Sequence, residues 1–224
     1  MTKIFSKSID KLLFVCYNLT VTKAHGRCSA LKVKECATIN SGLVLSRKTA
    51  IHDNDVVKTY KQINLKSFNK NGYLDTDELE TFRAKEIISK EYITQCGDIV
   101  IRLTDPFTAI YISKGYEGLI VSSNFTIVRC QCNVDAEFLS YYLNSDNIKK
   151  TLLSNIQGSI MKNINMSAIG EIEIPNISLS RQKTYAKLIR AENKKIKIME
   201  IEKILQENVK KIILEKIGDE RYDK

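Results

Sequence analysis

From about Ser180 to Ile217 the chain has no Gly or Pro. Tyr185, Leu188, Ile189, Ile196, Met199, Ile201, Ile204, Leu205, Val209, Ile212 and Ile213 recur at three- and four-residue intervals, and the residues between them are largely Lys, Glu and Gln. That spacing predicts an α-helix. A helix of over 30 residues is on the order of 50 Å long. It cannot bury its stripe against itself, so it needs a partner helix, usually in a coiled coil. The positions expected to pair are Ile198, Ile201, Leu205, Val209 and Ile212. The competing arrangement is a helix folded back on its own domain.

Upstream the period changes. Gly97-Asp98 opens the clearest β region, with strands expected at Ile99–Leu103, Thr108–Ile112, Leu119–Val121 and Phe125–Val128. These runs are β-branched and bounded by turn residues, including Asp105-Pro106 and Lys114–Gly118. They suggest a meander in a half-open sheet or barrel. Leu31–Glu35 reads as a short strand or a turn of helix, ended by Ser41-Gly42. Residues 54–65 alternate loosely, with Val56, Val57, Tyr60, Ile63 and Leu65 apolar, before a turn at 69–72. Over 75–95 a short helix is expected, capped by Asp75 or Thr76 and carrying Leu79 and Phe82, with Ile87 as a further candidate. Asp135 caps another helix with Phe138, Leu139, Tyr142 and Leu143 on one face, and Ile148–Leu153 starts a further helical piece. Residues 169–174 alternate as a strand that ends at Pro175. The expected fold class is α+β: a mixed or antiparallel β domain with flanking short helices, then a long C-terminal coiled-coil helix. The expected divisions are an N-terminal arm (1–30), a domain (31–179), the helix (180–217) and a tail (218–224).

The length, 224 residues, fits one large domain or one domain with an extension. The net charge of +9 is uneven. Residues 1–35 hold 7 Lys/Arg and 2 Asp/Glu, residues 181–224 hold 13 and 8, and residues 36–180 hold 15 and 16. Within the near-neutral middle, residues 47–70 carry Arg47, Lys48, Lys58, Lys61, Lys66 and Lys70 against Asp53 and Asp55. Residues 71–100 reverse this, with seven acids against Arg83, Lys85 and Lys90. A basic stripe beside an acidic one suits a domain that offers one edge to a polyanion; two solvated faces give the same composition.

The six cysteines form no paired CxxC knuckles, and with only His25 and His52 beside them a zinc site lacks ligands. Reduced, mostly buried thiols in a cytoplasmic protein are expected. The apolar run at 11–17 is too short to span a membrane and is followed by no cleavage site of small residues. Catalytic motifs are missing too. Thr104-Asp105-Pro106-Phe107 lacks the second proline of a base-flipping methyltransferase motif, and no strand followed by GxG offers a place for S-adenosylmethionine. There is no Walker loop, and no Glu-x-Lys follows Asp98 on the next strand to complete a nuclease site. No catalytic residue, metal or cofactor is therefore expected; what remains is binding.

Five features in order resemble the specificity subunits of Type I restriction-modification enzymes. They are Gly97-Asp98-Ile99-Val100-Ile101; Val121 to Val128; Asp135 to Leu143; Gly158-Ser159 and Met161–Ile164 with Ile169 to Pro175; and Arg181-Gln182 at the opening of the long helix. Each is weak alone; their order and the helix that follows make the set specific. Ile177-Ser178-Leu179 departs from the family, which usually has a second proline and a leucine there. The larger departure is copy number. The usual subunit carries two recognition domains and two long helices, whereas this sequence shows one of each and no internal repeat.

The resemblance implies a non-catalytic half-subunit that reads double-stranded DNA in the major groove and serves a separate adenine methyltransferase subunit, which a motor-nuclease subunit can join. Two copies, or two different halves, would pair their helices antiparallel and hold two heads apart over two half-sites. Family motifs do not carry base contacts over, because the recognition face is the variable part. From chemistry alone the DNA-binding candidates are Arg47, Lys48, Lys58, Lys61, Lys66, Lys70, Arg102, Lys114 and Lys162. The alternatives are a helix-mediated adaptor or inhibitor that contacts only proteins, and the recognition end of a fused methyltransferase; the initiating Met weighs against the latter.

Overall fold

The computed structural model describes residues 31–69, 72–131, 133–154 and 164–219. The expected N-terminal arm, Lys70, Cys132, the loop at 157–159, Lys162 and the end of the tail lie outside them. The elements are β1 (Leu31–Lys32), α1 (Val33–Cys36), β2 (Ala37–Ser41), β3 (Lys58–Ile63), β4 (Glu80–Ala84), β5 (Asp98–Arg102), β6 (Ala109–Tyr111), β7 (Ile120–Val121) and β8 (Phe125–Cys130), followed by α2 (Ala136–Leu143), α3 (Asp146–Ser154), α4 (Met166–Gly170), β9 (Glu173–Ile174) and α5 (Leu179–Asp219). The fold is α+β, with one long helix at its C-terminal end.

The expected β region forms, but not as a meander. The central sheet has the order β2-β8-β5-β6 with every pair antiparallel. Within it only β5 and β6 are sequential neighbours, joined through the Asp105-Pro106 turn. β7 leaves this sheet and pairs in parallel with β3, giving a second sheet of order β4-β3-β7. The two sheets meet where Leu43 bridges Ser122. Gly42 permits that approach: a Cβ there would lie 2.0 Å from the Ser122 carbonyl oxygen.

The central strands are buried on both faces, which is why they read as continuous apolar runs. Ile99, Ile101, Ala109 and Val128 face a core built with α2, α3, α4 and the first turns of α5. Val100, Ile110, Phe125 and Ile127 face the other way, onto Ile63, Phe68, Leu74 and Leu119. Tyr60, Phe82, Ala84, Ile88 and Ile120 make a third cluster behind the β3–β4 pair.

Two expected elements take the other form. No helix forms over 75–95; Glu80–Ala84 is strand β4, paired with β3 from Lys58↔Ala84 to Gln62↔Glu80, and only a single 3-10 turn appears at Lys90–Tyr92. Phe82 and Ala84 are buried and Thr81 and Arg83 exposed, the two-residue period of a half-buried strand. The strand expected over 169–174 shrinks to Glu173–Ile174, since Met166–Gly170 is helical and capped by Asn165, whose Oδ1 accepts the Ser167 amide at 3.0 Å. The Asp135 cap forms as expected, its Oδ1 accepting the Phe138 amide at 2.8 Å.

Candidate nucleic-acid interface

The β3–β4 pair sets the geometry of an exposed polar face on the head. In an antiparallel pair, directly opposed residues point to the same side. Tyr60 and Phe82 are opposed and buried. The rows on either side of them, Thr59↔Arg83 and Lys61↔Thr81, therefore point outward, and all four residues are exposed. Lys61 Nζ lies 3.4 Å from Thr81 Oγ1, and Arg83 Nη2 meets Asp53 Oδ1. The outer edge of β4 is taken up by the preceding loop, where the Ala50 amide bonds the Arg83 carbonyl at 2.9 Å and the Lys85 amide bonds the Lys48 carbonyl at 3.0 Å.

The sequence candidates scatter around this face. Lys61 lies on it. Lys58 stands at the end of β3 with Nζ 4.9 Å from the Tyr60 ring centroid, on the inward parity. Arg47 and Lys48 belong to the 3-10 turn at Leu45–Arg47 and its cap, and Lys48 pairs with Glu86. Lys66 is exposed in the turn after β3, which Asn64 closes by accepting the Lys66 and Ser67 amides at 2.8 and 2.7 Å. Arg102 and Lys114 sit at opposite ends of the β5–β6 hairpin. Arg102 bonds Thr104 Oγ1 and the Asp105 carbonyl, both at 3.0 Å, which occupies its guanidinium with the turn. The basic and acidic stretches of the sequence thus become neighbours, and the pairs Lys48–Glu86 and Arg83–Asp53 join them. Thr59, Thr81 and Arg83 are not among the sequence candidates. The signal for them is the alternation Thr81-Phe82-Arg83-Ala84.

A buried ion pair stiffens the floor of the head. Asp98 opens β5 after Gly97, which takes φ +94°, a region that favours glycine. Its carboxylate, almost wholly buried, accepts from Arg129 Nε at 2.9 Å and Nη2 at 3.2 Å and from the Gln95 amide at 2.8 Å. Arg129 Nη2 also donates to the Ile93 carbonyl at 2.8 Å. Cys36 is buried, Cys130 half-buried and Cys96 exposed, so the thiols are less uniformly buried than expected. Burial pushes the Cys130 thiol up to about 12, with Cys36 and the charges of Asp135 and Asp98 adding to the rise. Burial also raises Cys36. Such thiols are poor metal ligands, and no group of three or more His, Cys, Asp or Glu converges on a metal position among the described residues.

The long helix is fastened to the head at its first turns. Gln182, only 3 % exposed, accepts the Asp135 amide through Oε1 at 2.8 Å and donates through Nε2 to the Ile177 carbonyl at 2.9 Å. Ala186 is buried in the core, Tyr185 packs on Phe138 with ring centroids 6.5 Å apart, and Arg190 Nε is 3.5 Å from Glu137. Lys197 lies over the Tyr73 ring at 4.8 Å. From Lys187 to Ile217 every residue is exposed. At about 100° per residue, Ile198, Ile201, Leu205, Val209 and Ile212 fall within an arc of about 80°. All five are exposed, between 48 and 57 %.

No protein-family model matches the chain. Among solved structures it is similar to the HsdS subunit from Thermoanaerobacter tengcongensis, with a TM-score of 0.58 at 15% identity over 75% of this chain and 42% of that one. The chain has the HsdS fold. A chain from a structure of the type I R-M system, solved for its complex assembly and conformational transition, is similar at TM-score 0.57 and 14% identity, over 79% of this chain and 46% of that one. This chain spans less than half the length of either structure. No helix among the described residues is long and apolar enough to cross a membrane.

Proposed function

We propose that this chain is the sequence-reading half-subunit of a type I restriction-modification complex. It presents one target-recognition head to double-stranded DNA and performs no catalysis itself. The observation that carries this reading is the pairing of an HsdS-like head with a 41-residue helix whose apolar seam is exposed along its length. A seam of five aliphatic residues in water asks for a second helix. A second copy, or another half-subunit, supplies it and sets two heads at a fixed separation.

The helix carries a further apolar stripe. Leu188, Ile196, Met199, Ile213, Leu214 and Ile217 gather within about 100° on another side, and all six are exposed. A methyltransferase subunit docks there in this reading and modifies an adenine beside the site the head selects; a motor-nuclease subunit joins the same assembly. A purely protein-binding adaptor would need no outward Thr/Lys/Arg ribbon.

Sequencing adenine methylation in cells that carry and lack this gene tests the proposal. The expected result is one bipartite motif, with an unread spacer, that disappears when the gene is deleted. An unchanged methylome would overturn it.

A further inference from the structure

We infer that the outward face of the β3–β4 ribbon is the base-reading surface, and that Arg83 is its specificity-determining residue and reads a guanine; the inference rests on the DNA-reading function proposed above. Five paired registers make a ribbon about 17 Å long and about 5 Å between strands. β7 flanks the far end of β3 and the 48–50 segment flanks β4, so the pair meets DNA by its outward face, whose side chains reach base edges in a major groove about 12 Å wide. The occupant is set by charge and donor chemistry. The two outward rows hold Thr59, Lys61, Thr81 and Arg83 and no carboxylate. Their hydroxyls donate and accept, while Lys61 supplies a cation for phosphate.

Arg83 differs from Lys61, the other cation on the outward rows. Its guanidinium is planar and carries five N–H donors, a fork that matches guanine O6 and N7. Asp53 meets one end of that fork through Nη2, which leaves the other N–H donors open to a base edge. The side chain remains 48% exposed and its carboxylate partner 87%, so the pair stands in solvent on the outer surface. Arg102, by contrast, has Nε and Nη2 engaged by its own turn. Behind the ribbon, Tyr60, Phe82 and Ala84 fix the strands against the core, and the Tyr60 hydroxyl accepts the Ile88 amide at 3.1 Å. The reading face therefore sits on strands fixed against the core.

The test purifies the full chain from its native host as the complex it forms and selects duplexes from a random-sequence library. Wild type, Arg83→Lys, Arg83→Ala and Lys61→Ala are compared. Wild type is expected to enrich a motif containing at least one guanine at which Arg83→Lys and Arg83→Ala lose preference on the order of tenfold to a hundredfold. Arg83→Lys retains the charge at an exposed position, so the fold and the salt dependence are expected to stay as they were. Lys61→Ala is expected to weaken all sequences alike and to reduce the salt slope by about 1. If both Arg83 variants enrich the wild-type motif at wild-type strength, this inference is wrong while DNA reading stands. If wild type enriches no motif, the functional proposal itself has failed and the inference goes with it.

Discussion

Asp98 and Arg129 show how one residue pair can serve a site it does not form. A carboxylate taken out of water is costly unless hydrogen bonds and a counter-charge replace the solvent. Here the guanidinium grips it with two nitrogens, and Arg129 also ties the loop that carries Ile93 to the central sheet. The loop then packs Ile93 and Tyr92 against the cluster behind the ribbon. On the outside the rule reverses, because exposed cations interact weakly with neighbouring acids and remain available to phosphate. Lys61 and Lys66 are exposed lysines on the ribbon face and on the turn that follows β3. Replacing both with Glu is expected to lower duplex affinity and to flatten its dependence on salt, since a phosphate that no lysine neutralises keeps its condensed counterion. A salt series by filter binding measures this, and an unchanged slope would place the phosphate-binding groups elsewhere.

At the scale of elements, α5 is fastened to the head by a short series of contacts of which Gln182 is the most deeply placed polar group. Removing its amide leaves the Asp135 N–H, at the cap of α2, and the Ile177 carbonyl without their present partners. A fully buried group so orphaned costs about 1–3 kcal/mol; both groups here are part-buried, and Gln182→Leu is expected to destabilise the head by about 2–3 kcal/mol in denaturant titration. A midpoint that does not move would show that water replaces the amide. Elements that are long or doubly buried are legible in the sequence: β5, β8, the Asp135-capped helix and α5 carry enough periodic positions to declare their type. Short elements are not. β4 offers only five residues, and Leu79 and Phe82, three apart, mimic one turn of helix until β3 pairs with the strand. Ile169 and Ile172 pass for an alternating pair although their spacing of three is helical, and Asn165 as a cap is the signal that marks the helix. The ribbon face is hidden for a related reason: which residues share a face depends on register with β3, and register is a property of the pair.

At the scale of the whole molecule, the helix decides the assembly. It is about 60 Å long at about 1.5 Å per residue, and its first turns are committed to its own head. The seam from Ile198 to Ile212 begins where those contacts end, just past Lys197 on Tyr73. The two tasks therefore do not compete for the same residues. If the seam pairs two copies, inserting charge there should separate them without disturbing the head, because none of the five side chains joins a core cluster of the head. Ile201→Asp with Leu205→Asp places two carboxylates on the seam, where pairing would strip them of water at a cost of several kcal/mol each. The expected outcome is a change from dimer to monomer by light scattering, with the thermal transition of the head retained. Loss of pairing should also remove selection for two half-sites at fixed spacing and leave recognition of one half-site by a single head, as follows when a symmetric dimer reads two sites through one rigid connection. A double variant that stays dimeric would mean that the copies meet through another face, with the stripe from Leu188 to Ile217 as the next to test.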